Sequence, residues 1–134
     1  VLDGLARQVA NEIGPGAGNV FVAHPDVVGE ELDNLHIHAV AAARADVMCK
    51  ISGIVAFVPP GKWHAEDLAP VVNHCLDAFG PDRVFFGGDW PVCLLGSPAL
   101  GWVTALKQII ASRPTSEQRQ LWSRNAIRFY GLKV

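Results

Sequence analysis

The sequence predicts a parallel α/β fold, and three observations carry that prediction. Val20–Ala23, Asp46–Val55 and Val84–Phe86 are apolar runs without polar alternation, the pattern of strands buried on both faces. Stretches with helical spacing lie between them, so the runs recur at roughly the 30-residue period of right-handed βαβ units. The first and last runs also stop where strands stop, at His24-Pro25-Asp26 and at Gly87-Gly88-Asp89, with Pro91 following. Three parallel strands leave both sheet edges open. The fold is therefore expected either to include partner strands from outside this chain or to pair with another copy, which makes a homo-oligomer one expectation.

Each element has its own signal. Leu2, Leu5, Ala6, Val9 and Ile13 recur at helical spacing opposite Arg7, Gln8 and Asn11, and Gly14-Pro15-Gly16 ends that helix. From Glu30 to Ala45 the composition is helical, with Leu32, Leu35 and Val40 available to face a sheet. Asp46–Val55 is read as one buried strand, and Pro59-Pro60-Gly61 as a loop, with Trp63 and His64 packing over the next helix. That helix carries the stripe Leu68, Val72, Cys75, Leu76 and Phe79, starts near Glu66 and Asp67, and ends at Gly80-Pro81. Leu94–Gly101 is read as a loop leading to a helix with Trp102, Leu106, Ile109 and Ile110. Thr115 and Gln118 have capping-box spacing, and the last helix runs to Phe129 or Tyr130 before Gly131.

Composition narrows the function classes. A chain of 134 residues, half of them apolar and 18% charged, fits one soluble globular domain. The net charge of -2 comes from 11 basic and 13 acidic residues spread along the chain, so neither nucleic acid nor a membrane surface is an expected partner. No apolar stretch is long enough for a bilayer, and no secretory start is visible. Cys49, Cys75 and Cys93 are odd in number and lack CxxC spacing, which argues against a disulfide framework and for a reducing, cytoplasmic setting. The chain opens without methionine inside an amphipathic run, which suggests part of something longer.

Chemistry is sought at the carboxyl ends of the strands, where parallel α/β sheets bind ligands. Asp89 ends the last run there; the competing reading is a cap or turn residue. His24 occupies the same kind of position after the first run. Lys50 lies among apolar neighbours, and a buried ammonium needs a partner or a cavity, so it either binds a substrate carboxylate or pairs with an acid of the fold. Trp90, next to Asp89, joins Lys50 as a candidate substrate contact. His36 and His38 would share an ion on a strand, but on a helix residues two apart diverge by about 200°, and their surroundings read as helix. Cys75 lies on an apolar stripe and is read as a small core residue.

Phe21-Val22-Ala23-His24, Cys49-Lys50-Ile51-Ser52-Gly53 and Phe86-Gly87-Gly88-Asp89-Trp90-Pro91-Val92, followed by Asn125-Ala126-Ile127-Arg128-Phe129-Tyr130-Gly131, resemble the amidohydrolase-related family of metal-dependent TIM-barrel hydrolases. The nearest branch is that of sugar-lactone and related lactone hydrolases. The resemblance implies a partial (β/α)8 TIM barrel, with residues 1–134 as the carboxyl-terminal part of one barrel domain holding its sixth, seventh and eighth strands. It implies that Asp89 binds a divalent metal, zinc first, and accepts a proton from the attacking water, and that His24 contacts the small-molecule substrate or assists proton transfer. The family's strand-one His-x-His and strand-five histidine would precede Val1, and Ala23 stands where an acid often precedes the strand-six histidine. The competing expectations are a catalytically inactive half-barrel that self-associates and a small α/β anion-binding domain. Gly87-Gly88 followed by Trp-Pro does not supply the phosphate loop that the last of these needs.

Overall fold

The computed structural model describes residues 19–23, 39 and 41–134. The expected first helix, His24 and the His36/His38 pair lie outside the described residues. Three strands, β1 (Asn19–Ala23), β2 (Val47–Ile51) and β3 (Val84–Phe86), form one parallel sheet in the order β1-β2-β3. Ala23 lies beside Ile51 and Ile51 beside Phe86, so the three strands finish level on one side. This is the arrangement expected from the three apolar runs.

The run at 46–55 is not one strand. β2 stops at Ile51, Gly53 takes a left-handed φ of 75°, and Ile54–Phe57 continues as a 3-10 turn with Ile54 and Val55 buried. A buried turn and a buried strand look alike in apolarity; only the backbone reversal at the glycine separates them.

Helix α1 (Ala65–Phe79) begins after His64, whose backbone N–H donates to Asp67 Oδ2 at 2.7 Å, and stops at Gly80. Leu68, Val71, Val72, Cys75, Leu76 and Phe79 repeat at three- and four-residue spacing and join Cys49 and Ile51 of β2 in the core. At the other end of the strands Arg83 closes the layer: its guanidinium donates to the carbonyls of Ala42, Arg44 and Phe79 and lies over the Phe79 ring. That end is occupied by structural contacts.

Cys49 and Cys75 meet between β2 and α1, and all three cysteines are free. The hydrogen bond with Cys75, together with burial, pushes the Cys49 thiol well above its usual range. A folded-state pKa raised above the unfolded value stabilises the fold fully below the unfolded thiol's pKa of about 8.5 and loses that stabilisation as pH rises above it. The unfolding midpoint is therefore expected to fall as pH rises above about 8.5, and Cys49→Ala should flatten that part of the pH profile. Alkylation of Cys49 and Cys75 by iodoacetamide should require unfolding; rapid labelling of the folded chain would contradict this packing.

The segment after β3 is less open than its glycine and proline suggest. Val92–Leu95 forms a 3-10 turn, and helix α2 (Ala99–Ile109) starts at Ala99, ahead of the expected Trp102. Trp102 is fully buried and donates its indole N–H to Gly87 O at 3.1 Å, which ties α2 to the end of β3.

A continuous helical run closes the described chain: α3 (Thr115–Arg119), a π-helical stretch (Gln120–Arg124) and α4 (Asn125–Tyr130). The residue that caps α3 is Pro114, not Thr115, and Gln118 donates its side-chain N–H to Arg113 O at 2.8 Å. Thr115 already has helical geometry, so the capping-box spacing is coincidental. Asn125, with 0% of its surface exposed, donates its amide to Pro81 O and Val84 O, each at 2.7 Å. Arg83 O takes the N–H of Cys49, so by strand alternation the Val84 carbonyl points to the opposite, unpaired edge of β3. Asn125 supplies part of the neighbour that edge lacks. Gln120 adds a hydrogen bond to the Asp82 carboxylate and Arg128 one to the Asp82 carbonyl, which ties this residue to the closing helices.

Candidate active site at the strand ends

Parallel pairing sets the geometry. Gly87 donates its N–H to Ile51 O at 2.9 Å, which continues the ladder past β3 and places Gly87 beside Ser52. Cys49 and Ile51 point toward α1, so by alternation Lys50 and Ser52 point to the other face of the sheet. A methyl group built at Gly87 would stand 2.5 Å from Lys50 Cε and 2.6 Å from Ser52 Oγ, so only glycine leaves room for both side chains here. Because Gly87 lies further along the strands than Lys50, the lysine stem runs forward toward the carboxyl ends.

The turn after β3 folds over the turn after β2. A methyl group at Gly53 would lie 3.0 Å from Asp89 Oδ2, which places the carboxylate directly over that glycine. Asp89 has a φ of 50°, a left-handed conformation that aspartate tolerates better than most residues, and its carbonyl accepts the Cys93 N–H at 2.8 Å. The backbone, not a contact to the carboxylate, holds Asp89 in place.

Among the described residues, none bonds or pairs with the side chains of Lys50, Ser52 or Asp89 at this end. The ion pairs of the described residues are Arg44–Asp46, Arg113–Asp77 and Arg113–Glu117, which involve neither Lys50 nor Asp89. Lys50 therefore does not pair with an acid of the described fold, one of the two alternatives its burial left open. Ser52 is only 4% exposed, and no described residue bonds its hydroxyl. Polar side chains left without a protein partner at the carboxyl ends of strands are available to a ligand.

Of the residues singled out from sequence, Lys50 reaches toward the carboxyl end of the strands, where Asp89 follows β3, and Trp90, next to Asp89 in the chain, has 73% of its surface exposed. His24 directly follows Ala23 at the end of β1 but lies outside the described residues. Trp63 packs by donating its indole N–H to Gly96 O at 3.1 Å, as a packing residue rather than a ligand contact. A separate cleft of about 470 Å³ between the starts of α1 and α2, lined by Trp63, His64, Leu100, Thr104 and Gln108, includes none of Lys50, Ser52, Asp89 and Trp90. Ser52 and Gly53 were not singled out from sequence. The two-residue step from Lys50 to Ser52 on a strand was the available signal for the first.

A catalytic zinc site takes three protein ligands, and among the described residues no three His, Cys, Asp or Glu side chains group together. Asp89 is a single available donor. The described residues do not by themselves make a metal centre.

Comparison with known proteins agrees with the strand-end motifs. Residues 17–132 match the family model described as Amidohydrolase. Over 99 residues the chain is 37% identical to L-fucono-1,5-lactonase of Burkholderia multivorans, covering 68% of this chain and 32% of that protein. An uncharacterised protein of Sinorhizobium fredii is 35% identical over 89 residues, covering 66% of this chain and 29% of that one. Among solved structures, an amidohydrolase of Burkholderia multivorans with bound zinc superposes with a TM-score of 0.74 at 30% identity, over 98% of this chain and 48% of that one. Amidohydrolase 2 of Bifidobacterium longum subsp. infantis shares the fold at a TM-score of 0.58 and 20% identity. The chain thus spans about a third of the length of these curated relatives and about half that of the solved ones. With nearly its whole length matched by one family model, and its strand-end motifs placed side by side, the chain belongs to the amidohydrolase family.

Proposed function

We propose that the protein carrying this chain hydrolyses a lactone, with Asp89 as the group that accepts a proton from the attacking water. The observation that supports this most directly is the Asp89 carboxylate held over Gly53 at the carboxyl end of β3, with no partner among the described residues. Water that loses a proton to Asp89 adds to the lactone carbonyl. The tetrahedral adduct then expels the ring oxygen, which takes up a proton, and a hydroxy acid is released. His24, after β1, is the second residue we assign to substrate contact or proton transfer. Lys50 and Trp90 border the same strand ends and are assigned to substrate binding.

The three parallel strands are read as the last three of a (β/α)8 barrel, supported by the superposition on about half of a longer amidohydrolase. A divalent ion is the inferred cofactor, supported by the zinc of that structure. The described residues offer it Asp89 alone, so its remaining ligands would come from elsewhere.

The test is a hydrolysis assay of the protein carrying this chain on D-galactono-γ-lactone and γ-butyrolactone, followed by proton release, before and after chelation and with zinc restored. Turnover above the spontaneous rate is expected. Failure on both lactones with zinc present would reject the reading.

A further inference from the structure

Ser52 is left without a task by the mechanism above, yet its hydroxyl lies at the same point over Gly87 as the Lys50 stem. We propose that Lys50 and Ser52 form a carboxylate-binding subsite across Gly87, with Ser52 as its second donor and Gly87 as the residue that makes room for it. This rests on the lactone-hydrolase reading, because the hydroxy acid formed there carries the carboxylate the subsite takes.

The chemistry of the pair selects the ligand. An ammonium offers three donors and a full positive charge, and a serine hydroxyl adds one donor, so together they match an anionic oxygen pair better than a neutral hydroxyl. No described acid pairs with Lys50, Asp89 included. The positive charge is therefore available near the carboxyl ends of the strands, where Asp89 also lies. Lys50 sits on β2, a strand paired on both sides, and Ser52 follows its last residue where the Gly87 N–H to Ile51 O bond continues the ladder, so both donors are held by a rigid element, which favours precise binding. Gly87 is a positioning residue: a methyl group there would overlap the end of the Lys50 stem and the Ser52 hydroxyl while removing neither donor. Gly88, where a methyl group would meet only Phe86 Cζ at 4.0 Å, is the matched position that tolerates one.

Binding of D-galactonate, with galactitol as the analogue lacking the carboxylate, tests this by calorimetry on the protein carrying this chain. Wild type should bind galactonate and not galactitol. Ser52→Ala should weaken galactonate binding about tenfold, as should Gly87→Ala, and Lys50→Met by more, while Gly88→Ala leaves it unchanged. In turnover, Ser52→Ala should weaken competitive inhibition by D-galactonate about tenfold, while KM for the neutral D-galactono-γ-lactone moves less. Circular dichroism and thermal unfolding of each variant keep a folding defect separate from a lost contact. Equal galactonate binding by wild type, Ser52→Ala and Gly87→Ala, or no binding by wild type, overturns the subsite. Absent hydrolysis with galactonate binding intact rejects the lactonase reading and leaves the subsite standing.

Discussion

Asp89→Asn is expected to lower lactone hydrolysis by about 10² to 10⁴-fold while leaving the unfolding midpoint nearly unchanged. The rate falls because an amide cannot accept the proton of the attacking water. Stability holds because no described donor bonds the carboxylate, and because asparagine tolerates the left-handed φ of 50° that the position imposes. Substitution by alanine or leucine would confound the two effects by straining the backbone, so asparagine is the informative change. Asp82→Asn is the control. Asp82 accepts a hydrogen bond from Gln120 at the foot of β3, and an amide oxygen keeps an acceptor there, so neither turnover nor stability should move by much. Near-normal hydrolysis by Asp89→Asn would reduce Gly-Asp-Trp-Pro to a turn, and the lactonase proposal would lose its base.

The largest expected effect on stability is at Asn125. Asn125→Ala removes the donor for two carbonyls, Pro81 O and Val84 O, from a site with no access to water. Each unpaired buried group costs about 1 to 3 kcal/mol, so the variant should lose roughly 2 to 4 kcal/mol in urea unfolding. Asn125→Asp should be worse, because it sets a carboxylate against the same carbonyl oxygens. A loss below about 0.5 kcal/mol in the alanine variant would mean that the β3 edge does not depend on this side chain.

These two residues also mark how far the sequence could be read. Asp89 was legible because a two-sided apolar run followed by glycines and an acid has one usual placement, the carboxyl end of a core strand. Lys50 was legible as a problem: an ammonium among apolar residues needed an explanation, but only side-chain coordinates could show that no described acid answers it. Ser52 was passed over because a serine near a strand end is ordinary until the space above Gly87 is seen. Asn125 stood inside a recognised motif, yet its partners lie 41 and 44 residues earlier, and local periodicity carries no information at that separation. The boundary errors have local causes. Gly53 ended β2 early by turning the backbone, and Pro114 took the capping place that Thr115 seemed to fill.

The bond from Asn125 to Val84 also imposes an order on synthesis. A ribosome delivers Val84 41 positions ahead of Asn125, the residue whose side chain covers its edge. Through that interval the nascent sheet presents the Val84 carbonyl edge uncovered, in a chain whose neighbouring segment exposes Leu94, Leu95 and Leu100. A chaperone that holds apolar segments meets its best opportunity there, and codon changes that slow translation between β3 and α4 would lengthen the exposure without altering one residue of the finished protein.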